Sequence, residues 1–254
     1  MDAMTEQKSV SSDHQAANDL PGGTANLSPR AQEIAENLAR VRRRIAVAGG
    51  ADLLPITKFH PVEDVKLLAQ LGVTAVGENR EQEARDKHAQ LADTGLQFHM
   101  VGQVQTKKAN SVARWAAAVH TLDSLKLLNA LDRGAALALE RGDRNDRLPV
   151  LLQFSADGDP QRGGAVEADI DELADAVAAA ENLELRGLMT VPPLDADPAA
   201  VFARGRKLVE RITDRAVGAP VYSAGMSGDL EIAIAEGSTL VRVGTDIMGA
   251  RPVL

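Results

Sequence analysis

The sequence predicts an α/β fold, a single (β/α)8 barrel of the TIM type with one extra helix at its N-terminal side. Three observations carry this. From Leu53 onward, short apolar runs alternate with amphipathic stretches, as in a parallel sheet with helical crossovers. The alternation repeats eight times, the number that closes such a barrel. The chain has 254 residues, the size of one barrel domain. An open doubly wound sheet is the alternative that periodicity does not separate.

The elements follow in order. Residues 1–26 are small and polar and end in Pro21-Gly22-Gly23-Thr24, which predicts a disordered extension before a barrel over 27–254. Ser28-Pro29 starts the extra helix, with Ser at the cap and Pro in the first turn. Ile34, Leu38, Val41 and Ile45 form its apolar stripe, and Gly49-Gly50 ends it. Arg42-Arg43-Arg44 on this helix reads as a solvated face. The strands are expected at 53–58, 75–77, 97–101, 118–122, 149–154, 185–191, 220–223 and 239–243. Each runs into a polar or glycine-containing turn and then a helix.

Composition narrows the function. There is no cysteine, which excludes disulfides, cysteine nucleophiles and thiolate metal sites. The net charge of -8 and the 2% aromatic content argue against nucleic-acid binding by phosphate neutralisation or base stacking. No apolar run approaches the ~18 residues of a membrane span, and no secretory signal is evident. No His or carboxylate pairs fall at metal-ligand spacing.

In a barrel, chemistry sits at the carboxyl ends of the strands. Lys58, Asn79, His99, Met189, Ser227 and Gly244 all fall there. Lys58 closes the apolar run Leu53-Leu54-Pro55-Ile56-Thr57. Alone it reads as a strand-end lysine snorkelling to water. At a mouth lined with ligand-binding groups it becomes a candidate amine for a carbonyl compound. Gly225-Met226-Ser227-Gly228 and Gly244-Thr245 follow the last two strands, where barrels commonly cradle phosphate. Ordinary capped turns would look the same. Arg242, between Val241 and Val243, projects opposite to them. An inward arginine needs either an acceptor on a ligand or an internal salt bridge. His99 reads as a base or as a satisfied core histidine.

These residues resemble the pyridoxal 5'-phosphate (PLP) homeostasis proteins, relatives of the N-terminal barrel of alanine racemase. The matching motifs are Thr57-Lys58, Gly77-Glu78-Asn79-Arg80, His99-Met100-Val101-Gly102 with Gln105 and Lys108, Arg186-Gly187-Leu188-Met189-Thr190, Gly225-Met226-Ser227, and Arg242-Val243-Gly244-Thr245. They span the chain from about Ser28 to its end. Lys107 stands where the family commonly has Asn, which puts loop contacts in question.

The resemblance implies PLP held as a Schiff base on Lys58. It implies a phosphate site at Ser227, Gly244 and Thr245, and Arg242 facing the pyridine nitrogen. It implies Asn79 and Met189 lining the ring, with His99 nearby. It also implies a non-catalytic carrier that is monomeric and cytoplasmic and supplies apo PLP-dependent enzymes. A PLP-dependent amino-acid racemase is the alternative. It needs a second acid–base group, which racemases take from a C-terminal β-domain. The chain ends right after the eighth unit, and its one tyrosine, Tyr222, falls inside a strand, so the carrier is expected. An adaptor role for Arg42 to Arg44 is a third idea.

Overall fold

The computed structural model describes residues 27–250; the extension expected over 1–26 lies outside the described residues. Helix α1 (Pro29–Ala48) begins where the Ser28 hydroxyl accepts the Ala31 N–H at 3.2 Å, a cap of about 1 kcal/mol. It buries Ala31, Ile34, Leu38, Val41 and Ile45, at roughly 1.5–3 kcal/mol for each large aliphatic side chain. Gly49 closes it.

The chain then alternates as the pattern predicts. The strands are β1 (Asp52–Pro55), β2 (Ala75–Glu78), β3 (Gln97–Met100), β4 (Ala118–Leu122), β5 (Leu148–Phe154), β6 (Leu183–Thr190), β7 (Val221–Ser223) and β8 (Leu240–Val243). The helices between them are α2 (Val62–Gln70), α3 (Glu81–Gln90), α4 (Ala109–Trp115), α5 (Leu125–Glu140), α6 (Ile170–Ala179), α7 (Pro198–Ile212) and α8 (Leu230–Ala235), and α9 (Thr245–Met248) follows β8.

All pairings are parallel, and the strand order is β1-β8-β7-β6-β5-β4-β3-β2. An Ile56–Gly77 bridge and the Thr57 N–H to Gly77 O bond (3.1 Å) join β1 to β2. The sheet is therefore a nearly closed barrel, and the open doubly wound alternative is excluded. Outward side chains such as Val76, Phe98, Val119, Leu188, Val241 and Val243 pack against the helices in one core. Among the described residues, no helix is long and apolar enough to cross a membrane.

Two irregularities shape the interior. Val119 and Leu122 of β4 pair with Val150 and Leu152 of β5, so β4 carries one extra residue at His120–Thr121. Leu185 and Gly187 of β6 pair with the adjacent Val150 and Leu151, so Arg186 is extra in β6. Bulges of this kind kink a strand and re-aim its side chains. Most strand boundaries shift by one or two residues, and the largest difference is at the end of β1. β1 ends at Pro55, and Lys58 sits in a turn. The Thr57 carbonyl leaves the ladder to accept the His60 N–H at 3.1 Å.

Candidate functional site

Strand alternation sets which side chains line the mouth. A Cβ added at Gly77 would meet Leu54 and Ile56, so these residues share the interior face. Lys58 follows two residues later in the turn after β1, and it is half-buried. A Cβ added at Gly244 would meet Ile56 at 3.4 Å, and the Ile56 N–H donates to Val243 O at 2.9 Å. The turn bearing Lys58 therefore neighbours the β8 turn bearing Gly244 and Thr245. Gly244 is half-buried and Thr245 exposed.

Arg242 is the electrostatic centre of the interior. It is 5% exposed and forms no ion pair among the described residues, so the internal salt bridge is ruled out there. Its guanidinium donates to Ser223 Oγ at 2.8 Å and to Thr190 O, on the strand beyond, at 3.0 Å. Burial lowers its pKa to about 10, which still leaves it protonated at neutral pH. A buried cation with donors to spare needs an acceptor.

His120 is not among the residues the sequence singles out, and the structure brings it in. Its Nε2 lies 3.0 Å from His99 Nδ1, and its Nδ1 lies 3.2 Å from Ser223 Oγ. His99, His120, Ser223 and Arg242 form one hydrogen-bonded chain across β3, β4, β7 and β8. Burial pushes His99 down to about 4. Burial, together with the charges of His99 and Arg242, holds His120 well below the usual imidazole value. Both rings are neutral at pH 7. His99 is thus neither an isolated base nor a plain core residue. The β4 bulge that admits His120 left no signal in the sequence pattern.

Asn79 and Met189 line one cavity of about 260 Å³ with Gly102, Gln103, Gln153 and Arg162. Gly102 is obligatory here, because a side chain would overlap the Asn79 backbone. A cavity of about 350 Å³ at the opposite end, among Arg42, Asp52 and Thr74, gathers none of the expected site residues.

Arg44 departs from the expected solvated face. It pairs with Glu231 at 2.7 Å and Asp246 at 2.6 Å, and donates to Ser227 O at 2.9 Å. Helix α1 thereby ties the turn after β7 to the turn after β8, while Arg42 and Arg43 stay exposed. No group of three metal-binding side chains occurs among the described residues.

The parallel barrel is of the alanine racemase N-terminal type. A family profile described as alanine racemase, N-terminal domain, matches residues 30–252. The pyridoxal phosphate homeostasis protein of Corynebacterium glutamicum is 55% identical over 206 residues, covering 81% of this chain and 92% of that protein. That of Mycobacterium tuberculosis is 44% identical over 243 residues, covering 87% and 94%. PipY of Synechococcus elongatus, solved with PLP bound, superposes with a TM-score of 0.75 at 32% identity, covering 85% of this chain and all of that one. The chain belongs to the pyridoxal phosphate homeostasis protein family. Alanine racemase of C. glutamicum shares the fold at 20% identity and a TM-score of 0.64, and this chain covers 62% of its length.

Proposed function

We propose that this protein binds PLP at the carboxyl-end mouth of its barrel and serves as a carrier in PLP homeostasis, with Lys58 as the covalent anchor. The observation that carries this reading is the half-buried Lys58 in the turn after β1, beside the Gly244 turn, in a barrel whose buried Arg242 forms no ion pair among the described residues. These residues fit the group. Lys58 Nζ would add to its aldehyde and release water, exchanging C=O for C=N with no oxidant or reductant. Ser227, Gly244 and Thr245 would hold the phosphate. Asn79 and Met189 would flank the ring, and the neutral His99–His120 pair would hold Arg242 through Ser223.

When bound, PLP supplies an electrophilic aldehyde and an electron-withdrawing ring. Arg242 cannot accept a proton, and it would keep a ring nitrogen facing it unprotonated. That weakens carbanion chemistry, as suits a carrier. Tyr222 gives a racemase reading no support. Its hydroxyl donates to Phe202 O at 2.9 Å beneath α7, and burial raises its pKa. In this reading the protein acts as a cytoplasmic monomer and apo PLP-dependent enzymes are its recipients.

Borohydride reduction of the PLP-loaded protein, followed by peptide mass spectrometry, tests the anchor. Reduced cofactor is expected on Lys58, with none retained by Lys58→Ala. A Lys58→Ala protein labelled elsewhere to the wild-type extent would overturn the assignment.

The Arg44 tie has its own consequence. Arg44→Met frees the Glu231 and Asp246 carboxylates beside the phosphate turns. PLP affinity is expected to fall about five- to tenfold, on the order of 1 kcal/mol for a partly exposed network. The loss should shrink at high salt, and affinity for pyridoxal, which lacks the phosphate, should hardly change. Equal losses for both ligands in a titration would contradict the phosphate role.

A further inference from the structure

Helix α3 docks on the barrel in an unusual way. Its buried residues are Glu81, Ala84 and Lys87, where α2, α5 and α7 bury mainly aliphatic stripes. Lys87 is 6% exposed, and lysine is almost never buried without partners. All three of its donors are used: Thr57 O at 2.8 Å, Glu78 Oε1 at 2.7 Å and Glu83 Oε1 at 2.7 Å. Two further donors converge on the same carboxylates. Thr57 Oγ1 reaches Glu78 Oε1 at 2.6 Å, and the Phe59 N–H reaches Glu83 Oε1 at 2.7 Å.

The cluster therefore grips the backbone on both sides of Lys58. It takes the carbonyl of the preceding residue and the amide of the following one. The turn it grips is a disfavoured one. Phe59 has φ 68°, the one non-glycine positive φ among the described residues, in a region that bulky residues rarely adopt. The Arg80 guanidinium covers the Phe59 ring at 4.8 Å. An ionic cluster is a costly way to dock a helix, since apolar packing would serve as well or better. Glu78 even keeps Oε2 buried without a hydrogen bond. What apolar packing would not provide is directional hold on the Thr57 carbonyl and the Phe59 amide.

We propose that Thr57, Glu78, Glu83 and Lys87 set the shape of the Lys58 turn, and that Lys87 is a positioning residue acting on the Lys58 amine through the backbone on either side. This rests on the reading of Lys58 as the PLP anchor. Without the cluster, Phe59 relaxes to negative φ and the Lys58 side chain is re-aimed.

The test uses full-length protein in three forms: wild type, Lys87→Met, and Leu208→Ala. Leu208 lies in the α7 core away from the turn, so its variant controls for lowered stability. Two quantities are read: the rate at which added PLP becomes borohydride-trappable on Lys58, and the hydrogen-exchange protection of the Phe59 amide. Lys87→Met is expected to slow trapping at least tenfold and to lose most of the Phe59 protection. Leu208→Ala, despite a lower Tm, is expected to keep both near wild type. If Lys87→Met does not fold, Glu83→Ala, at a partly exposed carboxylate that accepts from Phe59, is expected to lose the same protection and slow trapping in the same direction.

Wild-type trapping rate with intact Phe59 protection in a folded cluster variant would overturn the proposal. So would equal losses in Leu208→Ala. Absence of a Lys58 label in wild type would count against the anchor instead. The exchange data, which need no PLP, would then judge the turn by themselves.

Discussion

Gly187→Ala is expected to destabilise the protein by about 4 kcal/mol, the sum of a disfavoured backbone conformation and a core overlap. Gly187 has φ 142°, and a Cβ there would overlap the Val221 backbone. Neither strand can yield easily. β6 is pinned by pairing along its length to β5, and β7 is pinned by the Gly187–Val221 and Leu188–Tyr222 pairs. A chain of this size loses roughly 2–4 °C of Tm per kcal/mol, so calorimetry should record a fall of roughly 10 °C. Gly228→Ala makes the comparison, because a Cβ there meets nothing within 4 Å; its Tm should stay near wild type. The effect should reach the site. Met189 and Thr190 follow the bulge, and Thr190 O holds Arg242. A Gly187→Ala protein with wild-type Tm would mean that the bulge is not needed to fit β6 between its neighbours.

Acidification from pH 6.5 to about 4 is expected to remove up to about 3 kcal/mol of stability through His99, with His120 adding in the same direction. The sign follows from proton counting. His99 is lowered from 6.5 to about 4 by burial, and His120 shifts the same way. Above pH 6.5 neither folded nor unfolded imidazoles hold the extra proton, and stability is at its full value. Between 6.5 and about 4 the unfolded chain binds protons that the folded one refuses, so stability falls as pH falls. One group shifted by this much accounts for about 3 kcal/mol, and solvent at the half-buried His99 trims its share. His60 and His88, both lowered mainly by burial, act in the same direction. Glu78, raised by burial, opposes them. Urea unfolding across this range should therefore show a slope that the double variant His99→Gln/His120→Asn flattens. An identical slope in the double variant would place the acid sensitivity elsewhere.

The relative legibility of fold and site has a physical basis. Eight-fold alternation was readable because each strand buries one face against helices and each helix one stripe against strands, and both periods are written in the residue order. α1 was readable to its ends from Ser28, Pro29 and Gly49, since capping is a local interaction. Lys58, Asn79, Met189, Ser227 and Gly244 were readable as strand-end positions because every parallel strand delivers its carboxyl end to the same rim. The bulges at His120–Thr121 and Arg186 were not readable, because register depends on the neighbouring strand. His120 and Ser223 looked like ordinary strand residues until the barrel closed and set them beside His99 and Arg242. The same holds for the charges. Arg44 reads as one of three surface arginines, and Lys87 as one more charge on a polar helix. Only tertiary packing brings Glu231 and Asp246 to the first, and the two backbone groups flanking Lys58 to the second.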